Sequence, residues 1–141
     1  MKIENLFSKQ DISQVSQLGN SIQCFPSNVQ TLGRICEKDS EFYAAKMYFN
    51  LALEIIQRND ACDVIDVADA YVNLGNVQTH LSDFHQAKEH YEYALAILLK
   101  ELGPEHAYVT TAYNNLGNVH NKLGDLGRAK EYYDRALAPF V

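Results

Sequence analysis

Residues 67–99, VADAYVNLGNVQTHLSDFHQAKEHYEYALAILL, fall on residues 109–141, VTTAYNNLGNVHNKLGDLGRAKEYYDRALAPFV, when the chain is shifted against itself by 42 positions. Of the 33 aligned positions 17 are identical, far above chance, so the chain is built from an internal repeat. Leu74-Gly75-Asn76-Val77 returns as Leu116-Gly117-Asn118-Val119, and Ala94-Leu95-Ala96 as Ala136-Leu137-Ala138. The same shift backwards finds a weaker first copy, with Leu32-Gly33, Ala45-Lys46, Phe49 and Ala52-Leu53 in the corresponding places. The units are residues 25–66, 67–108 and 109–141, the last one short, with residues 1–24 outside them.

Within each copy the apolar residues keep helical spacing. Tyr71, Leu74, Val77 and Leu81 share one helical face, and Phe84, Ala87, Tyr91, Ala94, Leu95 and Leu98 share another. Each copy therefore reads as a helical hairpin, and the fold class is all-α. Ser82-Asp83 and Gly124-Asp125 mark the turns inside the hairpins, where Asp caps the incoming helix and Gly124 takes positive φ. Gly103-Pro104-Glu105 joins two copies, with glycine ending one helix and proline pre-set for the first turn of the next. Gly33, Gly75 and Gly117 are expected where the two helices of a hairpin cross closely, faced by Ala45, Ala87 and Ala129. Tyr71, Tyr113, Tyr91 and Tyr133 are expected to fill the space between successive hairpins. No hairpin covers its apolar faces alone, so stacking must supply the core.

Composition excludes several function classes. Hydrophobic residues make up 47% of the 141 residues and charged residues 21%, a globular balance. The net charge of −6 provides no basic field, so neither nucleic acid nor an anionic membrane is an expected partner. Cys24, Cys36 and Cys62 are odd in number and lack metal-ligand spacing, which points to reduced thiols in a cytoplasmic protein. Residues 1–24 lack a signal-peptide apolar run and carry Ile12, Val15 and Leu18 at helical spacing, so of two readings, an additional helix capping the first hairpin or a loosely ordered leader, the helix is favoured.

Tyr71-x-x-Leu74-Gly75 followed by Ala87, Tyr91 and Ala94 resembles the tetratricopeptide consensus of an aromatic, Leu-Gly, then Ala, an aromatic and Ala. The period of 42 with its Leu102-Gly103-Pro104-Glu105-His106 connector looks like the long variant of kinesin light chains and nephrocystin-type proteins. The resemblance covers roughly residues 25 to 141; the first copy departs from it, with Val29 replacing the first aromatic. Cys36, Gln78 and His120 stand where the family often has tyrosine. The resemblance implies a right-handed superhelix whose first helices line a concave groove. Such a groove binds a peptide or helix of a partner protein.

Asn73, Asn76 and His80 in the second copy and Asn114, Asn115, Asn118, Asn121 and Lys122 in the third are then the groove candidates, with Arg34 from the first copy as an anchor for a carboxylate. An asparagine amide offers donors and an acceptor to a peptide backbone whatever its side chains. Asn73 matches Asn115 and Asn76 matches Asn118, so one helical face repeats on the neighbouring helix. The cationic clamp of family members that hold the acidic tails of heat-shock chaperones is mostly missing, since Gln30, Arg34, Asn73, Thr111 and Asn115 occupy its places.

No residue nominates an enzyme. His80, His85, His90, His106 and His120 include no pair spaced i, i+4, and no HExxH, GxSxG or GxGxxG is present, so neither metal nor cofactor is expected. Pro139 shortens the last helix, and no polar capping helix follows it. The outer face of the third copy, including Tyr113 and Tyr133, should then be open. That leaves a piece of a longer array, end-to-end self-association, or cover by another molecule's N-terminal segment.

Overall fold

A computed structural model describes residues 26–58 and 63–140. The helix expected near Ile12–Leu18, Cys24 and Cys62 lie outside those residues. Six α-helices follow one another: α1 (Pro26–Lys38), α2 (Phe42–Arg58), α3 (Val64–His80), α4 (Phe84–Leu102), α5 (Ala107–Lys122) and α6 (Leu126–Leu137), ending in a 3₁₀ turn at Ala138–Phe140. Each helix packs on the next, and α1 also reaches α3, so three antiparallel hairpins form one stack.

Local chemistry sets the helix ends. Asp63 Oδ1 accepts from the Ile65 N–H at 3.0 Å and opens α3, and Asp125 Oδ1 accepts from the Arg128 N–H at 3.3 Å and opens α6. Asp83 stands at the same place before α4 but makes no side-chain cap bond. Gly103 closes α4 at φ 86°. Pro104, expected in the first turn of α5, instead sits in the connecting turn. His106 Nδ1 accepts from the Tyr108 N–H, so α5 begins at Ala107. The turns inside the hairpins share one pattern. The Glu41, Asp83 and Asp125 N–H groups reach back to the carbonyls of Cys36, Gln78 and His120, and Ser40, Ser82 and Gly124 take positive φ between them.

Two cores lie between the hairpins. Cys36, Ala44, Ala45, Tyr48 and Phe49 of the first hairpin meet Leu74 and Val77 of α3; Ala87, Tyr91, Ala94, Leu95 and Leu98 of α4 meet Val109, Ala112, Tyr113, Leu116 and Val119 of α5. Burying one such leucine or valine contributes roughly 1.5–3 kcal/mol.

Two packing expectations need correction. The repeat glycine is faced by a ring, not by an alanine methyl. A Cβ on Gly33, Gly75 or Gly117 would lie 2.5, 2.6 and 2.6 Å from the rings of Phe49, Tyr91 and Tyr133. Only bare backbone lets a flat ring lie that close, so Tyr91 and Tyr133 hold their own hairpin together before they touch a neighbour. Secondly, Tyr113 is buried in the core with α4 and against Tyr132, whereas Tyr133 lies over Gly117 and stays partly exposed. The apolar side chains open at the end of the stack are Leu126, Leu137 and Phe140.

Cys36, Gln78 and His120 occupy one register position and are all buried. Gln78 Nε2 donates to Gln86 Oε1, and His90 Nδ1 lies 2.6 Å from Gln78 Oε1. In the third hairpin the same neighbours are Arg128 and Tyr132. His120 stacks on the Tyr132 ring, its Nδ1 is 3.8 Å from Asp125, and neither ring nitrogen has a hydrogen-bond partner among the described residues.

Candidate functional site

All three first helices line one cleft. Glu37 comes from α1, Asn76, Thr79 and His80 from α3, and Asn115, Asn118 and Val119 from α5, with Tyr91 rising from α4 behind them; the cleft holds about 180 Å³. Helical spacing explains the selection. Asn76 and His80 lie one turn apart on the face of α3 opposite its core residues, and Asn115 and Asn118 do the same on α5.

The two central asparagines are oriented. Tyr91 Oη donates to Asn76 Oδ1, and Tyr133 Oη donates to Asn118 Oδ1, one repeat apart. With each amide oxygen turned back to a phenol, the Nδ2 donors are the side left to the cleft. Two fixed pairs of N–H donors, at the spacing of adjacent hairpins, match a row of carbonyl acceptors.

Charge enters from Glu37. Burial raises its carboxyl pKa, while His80 and Arg34 pull it back. His80 Nε2 lies 3.7 Å from Glu37 Oε1, and its ring stacks on Phe42 with centroids 4.5 Å apart. Asp69, half-buried on α3, is likewise raised by burial and opposed by Arg34. Burial pushes the Tyr91 hydroxyl up to about 12, with the Thr79 hydroxyl working against that shift, so the hydroxyl remains a donor to Asn76 at any ordinary pH.

Of the sequence candidates, Asn76, His80, Asn115 and Asn118 come together in this cleft. Asn73 is buried instead, its Nδ2 donating to Gln30 Oε1 at 2.7 Å, so its amide ties α3 to α1. The register counterpart of Gln30 is Val72, which has no amide to offer Asn115. That difference leaves Asn115 in the cleft. Asn114, Asn121, Lys122 and Arg34 are exposed and do not line it. Sequence reading assigned Tyr91 to packing alone and left Glu37 out of the leading candidates. A signal for the tyrosines was present: the two copies with Asn after Leu-Gly have Tyr fifteen positions later, whereas the first copy has Arg34 and Phe49.

Among the described residues no group of three His, Cys, Asp or Glu side chains is placed to hold a metal ion, and no helix is long and apolar enough to cross a membrane. A family model described as a tetratricopeptide repeat matches residues 26–100 and again 66–138. This chain belongs to the tetratricopeptide repeat family. Tetratricopeptide domains are helical scaffolds that mediate protein–protein interaction, and the stack is an all-α, right-handed superhelix of that type.

Solved structures share the fold. The tetratricopeptide domain of Arabidopsis FLU is 24% identical, with a TM-score of 0.73 over 82% of this chain and 93% of that one. BtubC (BKLC) from P. vanneervenii is 23% identical, with a TM-score of 0.70 over 93% of this chain and 52% of that one. The N-terminal domain of stress-induced protein-1 from C. elegans is 21% identical, with a TM-score of 0.65 over 82% and 84%. No curated protein matches.

Proposed function

We infer that the chain is a non-enzymatic binding module of the cytoplasm that holds an extended or helical peptide segment of a partner protein in the cleft between its first helices. The observation that carries this reading is the pair of tyrosine-oriented asparagines, Asn76 and Asn118, repeated across two hairpins and aimed at one cleft. A packing role alone does not require the amides to be turned the same way in successive copies. Backbone carbonyls of an extended peptide suit these donors, while side chains next to Glu37 and His80 add selectivity.

Peptides selected from a displayed random library against residues 1–141 provide the probe. The double substitution Asn76→Ala with Asn118→Ala should weaken their binding by about tenfold to a hundredfold, since each lost hydrogen bond is worth about 1 kcal/mol net. Helicity and mass in solution should not change. Undiminished binding by the double variant sinks the cleft reading.

A further inference from the structure

The three hairpins share one register, so each position reveals what covers it inside the stack and what is left at the ends. Leu74 and Leu116 are 0% exposed, as are Val77 and Val119, because each pair packs on the second helix of the preceding hairpin. Their counterparts on α1, Leu32 and Ile35, are 40% and 45% exposed. The second helices show the reverse. Leu95 and Leu98 on α4 are 8% and 3% exposed, in one core with Val109, Ala112, Tyr113 and Leu116 of α5, whereas their counterparts in the sequence repeat, Leu137 at the end of α6 and Phe140 in the 3₁₀ turn after it, are 58% and 78% exposed. One end of the stack displays the first-helix half of the contact between hairpins, and the other end displays the second-helix half.

We propose that these faces are the two halves of a head-to-tail contact through which a second copy of this chain extends the stack, α1 of one copy seating on α6 of the next as α5 seats on α4. The contact is a continuation of one already made twice within the chain, by α2 with α3 and by α4 with α5. Its apolar residues are as large as those used inside, with Ile35 in place of valine and Phe140 in place of leucine. Because the two faces differ, pairing is heterologous: a dimer keeps one face of each kind and adds further copies. None of Leu32, Ile35, Leu137 and Phe140 lines the cleft, so substitutions at these four positions leave its lining residues in place.

Light scattering and sedimentation of residues 1–141 over a wide concentration range test it. The average mass should climb past that of a dimer. Leu137→Glu with Phe140→Glu removes one face, and Leu32→Glu with Ile35→Glu removes the other; each should weaken association by more than about tenfold. Mixing the two variants should restore association that stops at two copies, because the mixed pair has one intact contact. Serine substitutions at the same sites replace any glutamate variant whose helicity is lost. Three outcomes overturn the proposal: a monomer at every concentration, a mass that levels at two with no restoration on mixing, or a Leu32→Glu, Ile35→Glu change that lowers the melting temperature of the monomeric Leu137→Glu, Phe140→Glu chain. The last would mean that residues 1–25 of the same chain cover α1.

Discussion

In the second and third hairpins the ring lying on the repeat glycine is a tyrosine whose hydroxyl holds an asparagine; in the first hairpin the ring is Phe49 and the asparagine's place is taken by Arg34. The ring sits at the same distance from its glycine in all three. Packing of the hairpin therefore needs the flat ring and not the hydroxyl. The hydroxyl has a separate task, turning an amide toward the groove, and the first hairpin has the packing without it. Core and groove are decided by different atoms of one side chain.

The largest expected contrast lies in the leucine of the repeat. Leu116→Ala should cost roughly 2–5 kcal/mol, as large-to-small changes in a closed core do, and Leu32→Ala at the same register about 1 kcal/mol or less, because α1 has no hairpin before it among the described residues. Urea unfolding measures both. Equal costs would break the distinction between the first hairpin and the others. Gly75→Ala comes next, at about 1–3 kcal/mol, because the new methyl meets a ring pinned by Asn76. In the first hairpin Phe49 carries no hydroxyl pin, so Gly33→Ala should cost less.

Tyr91→Phe should lower stability by about 1 kcal/mol and weaken peptide binding through the released Asn76. It should also change alkaline stability. The folded chain holds the Tyr91 proton up to about 12 while the unfolded chain loses it near 10.0, so this stabilisation is complete below pH 10.0 and is lost as pH rises toward 12. The phenylalanine variant should lack that decline. The reverse graft, Arg34→Asn with Phe49→Tyr, should give the first hairpin a third oriented amide, seen as tighter binding of the selected peptides.

Ser82→Gly should raise stability by about 1 kcal/mol, because a left-handed backbone strains serine and not glycine, and Gly124→Ser should lower it by the same amount. The smallest contrast concerns His120 and its register partner Gln78. Burial lowers the His120 pKa, with Asp125 opposing it, so the folded chain resists protonation that the unfolded chain accepts. That contribution is present above pH 6.5 and is lost as pH falls below it. His120→Gln should flatten the acid side of a plot of melting temperature against pH. His90, lowered mainly by its own burial, leaves a residual slope.

The sequence was most informative where one residue type at a fixed period had one physical cause. Leu74 and Leu116, Ala87 and Ala129, and the turn at Gly124 are legible because burial and backbone conformation act on each copy alike. It was less informative where two copies place the same residue against different neighbours. Asn73 and Asn115 are identical in sequence, yet Asn73 is bonded to Gln30, 43 positions away on another helix, while Asn115, whose repeat has Val72 in place of that glutamine, lines the cleft. Tyr91 looked like packing because a ring on a helical face says nothing of where its hydroxyl ends.

What the amino-acid order determines by itself is the hairpin count, the register and the apolar stripe of each helix, since these follow from the helical period and the 42-residue repeat. Only the stacking of one hairpin on the next decided which asparagines face the cleft, which tyrosine is covered, and that Leu32, Ile35, Leu137 and Phe140 stand open where their counterparts are closed. A residue's spacing sets the side of the helix it occupies. What meets that side comes from a neighbour that local spacing does not specify.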